Sequence, residues 1–168
     1  MENPPLEKQE KKLSPITLAV IILTLLFAGG LRIQQALALR KVVWADLSMR
    51  GRTFSVEVAD TDAKREKGLG DRDSLAADHG MYFPFPAAQY WVFWMKGMRF
   101  PIDIVWIQDG KVVDISPEAQ VDAGLPLKTY SPVEPADAVL ELNAGTARQI
   151  GLQKGDEVTL TAKPAGTQ

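Results

Sequence analysis

Two carboxylates stand inside apolar stretches that would otherwise exclude them. Asp103 interrupts Ile102–Ile107, and Glu141 interrupts Ala138–Leu142. A carboxylate withdrawn from water must be hydrogen-bonded, ion-paired or protonated. Each residue therefore has two readings. One is an acid, base or ligand-orienting group in a cleft. The other is a structural acceptor, for Asp103 of N–H groups from the Lys96–Arg99 turn or of an arginine. If the two carboxylates faced each other they would form a paired site like those that hydrolyse glycosidic bonds. The sequence does not place them on one face. Lys96 and Arg99 flank Gly97 between two apolar runs. They can hold an anionic ligand or simply be solvated. Trp94 belongs to a stretch, Tyr82 to Trp106, that holds most of the aromatic residues; it lines a stacking groove or joins a core. Trp94, Lys96, Arg99, Asp103 and Glu141 are the candidate ligand or partner site.

Other chemistries are excluded or unsupported. There is no cysteine, so thiol catalysis, disulfides and Fe–S ligation are ruled out. With His79 as the single imidazole, no dedicated zinc site is expected, and neither a metal nor another cofactor is assigned. Asp60-Thr61-Asp62 and Asp71-Arg72-Asp73 lack the oxygen-ligand spacing of a calcium loop. Helix capping and turn formation account for both. No nucleophile elbow or phosphate-binding loop is present. A formal net charge of −2 offers nucleic acid no attraction.

The elements that must position these residues read mainly as β. Phe54, Val56 and Val58 alternate with polar neighbours as a half-buried strand from Arg52. Asp60-Thr61-Asp62 caps a short helix that ends at Lys67, with Gly68 beyond it. His79–Phe85 is a strand. Tyr90–Met95 and Ile102–Ile107 lack a polar face and read as strands covered on both sides. Asp109-Gly110 turns the second of these into a hairpin with Val112–Ile115. Residues 116–135 hold four prolines and read as a long loop. Ala138–Leu142 is a strand, Thr146–Ile150 one helical turn, and Glu157–Thr161 the last strand. The fold class is a compact sandwich or partly open barrel with two short helices, preceded by an N-terminal transmembrane or signal helix.

Residues 13–31 carry no charge over 19 positions, near the shorter limit of a bilayer span. They read as a membrane anchor following a polar tail, 1–12. A cleaved signal ending near Ala38 is the alternative. Residues 32–51 then form a tether, 52–162 the β-rich domain and 163–168 a loose tail.

Several ordered motifs carry a family likeness. They are Lys67-Gly68-Leu69, Gly80-Met81-Tyr82-Phe83, Phe93-Trp94-Met95-Lys96-Gly97-Met98, Pro101-Ile102-Asp103-Ile104-Val105-Trp106, Val139 through Gly145, and Gly151-Leu152 with Gly155-Asp156. From Arg52 to Leu160 the chain resembles the bacterial and archaeal family known as domain of unknown function 192. The resemblance implies a small β-rich domain, exported or membrane-attached, and no established activity. Where the family usually has methionine and asparagine, this chain has Gly70 and Gly97. The expected function is a membrane-anchored, extracytoplasmic, non-catalytic module that binds a partner protein or cell-envelope component. A hydrolase of an envelope polymer using Asp103 and Glu141 is one alternative. A structural accessory subunit of a membrane assembly is another.

Overall fold

Strands of this chain bury alternate side chains, and that alternation organises the fold. The computed structural model describes residues 14–40, 42–121, 124 and 126–163; within the first helix the side chains at 15, 18, 28 and 31–40 lie outside this set. The expected polar tail, 1–12, lies outside the described residues. The chain divides into two units, Met1–Leu37 and Ala38–Gln168. The first unit is built on helix α1, Pro15–Arg40. Its large apolar side chains, among them Leu23, Leu25, Leu26 and Phe27, are exposed. Among the described residues no helix is long and apolar enough to cross a membrane.

The second unit is mainly β. It contains β1 (Trp44–Met49), β2 (Arg52–Val58), α2 (Asp62–Lys67), β3 (His79–Gln89), β4 (Phe93–Trp94), β5 (Ile102–Gln108), β6 (Lys111–Ala119), β7 (Thr129–Tyr130), β8 (Ala136–Asn143), α3 (Thr146–Gln149) and β9 (Thr159–Ala162). Seven strands form one open sheet in the order β6-β5-β8-β3-β2-β1-β9, and β4 pairs with β7 in a separate ribbon. Only β2 and β3 run parallel, and α2 lies in the connection between them. The segment before β9 also reaches the opposite edge strand. Val112 N–H donates to Asp156 O at 2.9 Å and Val158 N–H to Gly110 O at 2.8 Å. One stretch of chain thus pairs with the start of the β6 edge and then supplies the strand at the other end of the sheet.

Four expectations change. A face-to-face sandwich does not form, because a single sheet carries apolar residues on both faces. The span expected as a tether, 32–51, contains β1, with Ala45, Leu47 and Met49 buried. The expected loop 116–135 is shortened from both ends: β6 continues through Pro117 to Ala119, and β7 takes Thr129 and Tyr130. Lys163, expected in a loose tail, is held by Asp46 at 3.0 Å and by the Ser55 hydroxyl at 2.9 Å.

Each face of the sheet has its own core. On one lie Leu47, Phe54, Val56, Val105, Ile107 and Leu140; on the other Phe83, Met95, Ile102, Ile104, Trp106 and Val139. Strand β5 is buried on both faces from Ile102 to Ile107, as its unbroken apolar run implies. Asp103 points to the first face and is fully buried. Its Oδ1 accepts N–H groups from Glu118 at 2.8 Å and Gly145 at 3.0 Å. Its Oδ2 accepts that of Ala147 at 2.8 Å. These donors belong to the end of β6 and the start of α3, not to the Lys96–Arg99 turn. One carboxylate thus pins an edge strand and a helix start to the central strand. Asparagine there would turn an NH2 group toward a backbone N–H. Asp103→Asn is expected to lower stability by about 1–3 kcal/mol, the usual scale for a hydrogen bond to a charged group. Paired denaturant melts at neutral pH check this; a variant as stable as the parent would contradict the structural role.

Candidate functional site

The register between β5 and β8 decides which candidate residues share a site. Asp103 stands opposite Leu142, and Ile104 opposite Glu141. Facing residues share a face and successive residues alternate. Asp103 and Glu141 therefore lie on opposite faces of the sheet. The expected pair of carboxylates does not form, and the hydrolase alternative loses the arrangement on which it depended.

Glu141 lies beneath a cleft of about 360 Å³. One wall is α2 and the turn after it, contributing Arg65, Lys67 and Leu69. The other is the aromatic segment with Trp91, Phe93, Trp94 and Lys96. The α2 wall forms where Thr61 caps the helix by accepting the Lys64 N–H at 3.3 Å. It ends at Gly68, whose φ of 49° favours glycine. A side chain at Gly68 would also begin 3.8 Å from Glu141 Oε2, in van der Waals contact with it.

The aromatic wall departs from the expected doubly covered strand. Tyr90, Val92 and Trp94 are exposed while Met95 is buried and Trp91 and Phe93 pack on the core. The pattern still alternates, but its outward positions are apolar and so leave no polar signature. Only Phe93 and Trp94 pair as strand. Trp91 is fixed by a 2.9 Å bond from its indole N–H to Ala136 O and by stacking on Phe85 with ring centres 3.9 Å apart. Phe93 meets Phe83 and Trp106 edge-on. The wall is therefore rigid at its base and open at Trp94.

The two walls meet at the glycines that depart from the family pattern. Asp71 N–H donates to Gly97 O at 2.8 Å. A Cβ at Gly70 would lie 2.9 Å from Lys67 O, closer than backbone tolerates. These two departures lie together and allow the turns beside Lys67 and Lys96 to touch.

Glu141 is 5% exposed, and its Oε2 has no hydrogen-bond partner. Burial pushes its pKa up to about 8, against an opposing pull from Arg72. That arginine is occupied by Glu57: one N–H···O contact is 2.8 Å and a second is shorter. Its own pKa is raised chiefly by the Glu57 hydrogen bond. The other cations differ in availability. Arg65 bonds Asp62 at 2.6 Å and Lys67 pairs with Asp71. Lys96 lies 5.4 Å from the Trp94 ring centre and makes no ion pair among the described residues.

Of the five candidates, Trp94, Lys96 and Glu141 line one cleft. Arg99 does not line it and pairs with Asp73 instead. Asp103 belongs to the opposite core. Sequence reading missed Arg65, Leu69, Phe85, Trp91 and Phe93 as lining residues. The Lys67-Gly68-Leu69 motif was the available signal for the α2 wall. Among the described residues no cluster of His, Asp and Glu could hold a metal ion.

Residues 45–160 match the family DUF192, described as an uncharacterized ACR. The chain belongs to this family. Its fold resembles a crystal structure from Sinorhizobium meliloti 1021, provisionally described as a transcription regulator. Identity there is 34% and the TM-score 0.62, over 71% of this chain and 94% of that one. It also resembles a protein of unknown function from Novosphingobium aromaticivorans. That match has 31% identity and a TM-score of 0.63, over 70% of this chain and 84% of that one. No curated protein matches this chain. Membership in the DUF192 family fits the motif order and supplies no activity.

The raised pKa of Glu141 has a defined consequence for stability. Between the ordinary value of 4.5 and about 8 the folded state holds a proton that the unfolded state releases. Stability from this group is complete below the lower value and declines as pH rises through the higher. Glu141→Gln removes that dependence. Relative to the parent, the variant is expected to gain about 1.4 kcal/mol for each pH unit within the window. Denaturant melts of both proteins at about pH 5 and about pH 7.5 measure it. A constant difference between them would show that Glu141 holds no proton of this kind.

Proposed function

We propose that this protein is a membrane-anchored, extracytoplasmic binding module whose ligand site is the cleft above Glu141. The observation that carries the ligand site is the unpartnered, buried Oε2 of Glu141 beneath an aromatic wall. Burying a polar atom without a partner costs stability, and a ligand that satisfies it recovers that cost. Exposed Trp94 and Val92 at the cleft and exposed Tyr90 beside them give an apolar surface that suits an envelope component or partner protein.

Anchoring rests on the sequence of the segment that forms α1, although among the described residues no helix is by itself long and apolar enough to cross a membrane. The segment exposes large aliphatic side chains and carries no charged residue from 15 to 31. Cleavage near Ala38, giving a released domain, is the alternative within the same export reading. Binding is favoured over hydrolysis because Asp103, the expected partner carboxylate, lies on the opposite face of the sheet from Glu141. The regulator description of the Sinorhizobium meliloti relative suggests nucleic acid, but the net charge of −2 gives no support for it here.

Two measurements test the proposal. A topology reporter fused after Gln168 is expected to be active only in the form that requires export; activity of the cytoplasmic form overturns the localisation. Native mass spectrometry of the full chain extracted from membranes is expected to show a bound mass that Trp94→Ala loses. A wild-type chain without such an adduct counts against the ligand site.

A further inference from the structure

The cleft has a polar requirement more specific than its aromatic lining. Glu141 lines it with its buried Oε2 lacking a hydrogen-bond partner, and Lys96 stands on its aromatic wall without an ion pair among the described residues. Lys67 and Arg65 also line it, each tied to an aspartate. Leu69, Met98, Trp91 and Phe93 supply the apolar body of the cavity.

We propose that the cleft binds an organic carboxylate on an apolar or aromatic body, with the carboxylate set between Glu141 and Lys96. The inference rests on the reading of this cleft as a ligand site and adds the chemical class of its occupant. A protonated carboxyl donates one hydrogen bond, and a carboxylate is the strongest common acceptor for it. Lys96 supplies the compensating charge. Its ammonium lies over the Trp94 ring, 5.4 Å from the ring centre, and is placed there without a competing carboxylate. An amine ligand fits less well. The lining carries Asp62 and Glu66 as well as Arg65, Lys67 and Lys96, but an amine bound at Glu141 would require that residue to lose its proton in a buried setting. A neutral sugar would use the stacking surface but leave Lys96 uncompensated.

The proton gives the inference its signature. Burial holds Glu141 protonated up to about pH 8. If only the protonated form accepts the carboxylate, apparent affinity falls about tenfold for each pH unit above that value. Glutamine at this position keeps an N–H donor but cannot titrate.

The same carboxylate can come from a free organic acid or from the C-terminus of a peptide, and separate probes distinguish them. Isothermal titration of the full chain in nanodiscs would use 3-phenylpropionate, its amide, phenethylamine, and a short apolar peptide with a free or an amidated C-terminus. We expect both free carboxylates to bind, the amides to bind at least about tenfold more weakly, and phenethylamine to fail. The tighter of the two free carboxylates identifies the source. Lys96→Met should weaken the carboxylates and leave the amides unchanged. Glu141→Gln should keep carboxylate binding while losing its decline above about pH 8. Equal binding of acid and amide, or preference for the amine, overturns the carboxylate class while leaving the cleft a ligand site. No binding by any probe also overturns the class; the ligand-site reading is then decided separately by the adduct on the membrane-extracted chain.

Discussion

The pairing of β5 with β8 is the constraint on which the rest of the molecule depends. These central strands are covered on both faces, so their register assigns every side chain to one of two cores. Asp103 opposite Leu142 and Ile104 opposite Glu141 give two acidic residues on neighbouring strands and opposite sides. A slip of one residue would bring a different set of side chains to each face and strand the acids among unsuitable partners. Apolar packing on both faces and three backbone N–H groups on Asp103 resist that slip together. The carboxylate on one side thus helps fix the position of the carboxylate on the other.

The two acids resolve the cost of burial differently. Asp103 exchanges water for three N–H donors supplied by segments that would otherwise carry unsatisfied groups of their own. Every partner is local to the fold, so nothing remains for a ligand. Glu141 receives no such set. The nearby arginine that could compensate it is held by Glu57, and the segment above it offers aromatic rings in place of donors. A satisfied buried group contributes to stability, whereas an unsatisfied one is retained at a cost. That asymmetry, more than the residue type, separates the structural site from the candidate ligand site. Gly68 lies against Glu141: a side chain there would begin 3.8 Å from its buried Oε2.

Much of this was legible in the residues, and the gaps have physical causes. The capped helix after Asp60-Thr61-Asp62, the Asp109-Gly110 turn and the doubly covered β5 follow from local chemistry. β1 was readable too, since Ala45, Leu47 and Met49 alternate with Trp44, Asp46 and Ser48; its proximity to the N-terminal helix obscured the pattern. The aromatic wall was harder. Tyr90, Val92 and Trp94 point outward yet are apolar, so composition could not separate inside from outside. Pro117 fits within β6 because that strand lies at a sheet edge, a position that composition alone does not reveal. The candidate site divided for a similar reason. Residue types identified both acids, but which face each occupied depended on long-range register.

Aromatic residues do two kinds of work in this domain, and the difference bears on how the cleft is kept. Phe83, Phe93 and Trp106 form an edge-to-face series beneath it, with Trp106 bonded through its indole N–H to the Ser116 hydroxyl at 3.1 Å. That series joins β3, the ribbon and β5, so the base of the aromatic wall moves only if the core moves. Trp94 lies beyond that base. It is 45% exposed and has a lysine across its ring, with no aromatic neighbour within ring-contact range among the described residues. Rings of the same chemistry therefore give a fixed floor and an adaptable rim. A ligand that reached Glu141 would meet the rigid part at its apolar body and the adjustable part at its charged end. The ordering cost on binding would then fall mainly on Trp94 and Lys96, while the position of the buried acid stayed set by the sheet.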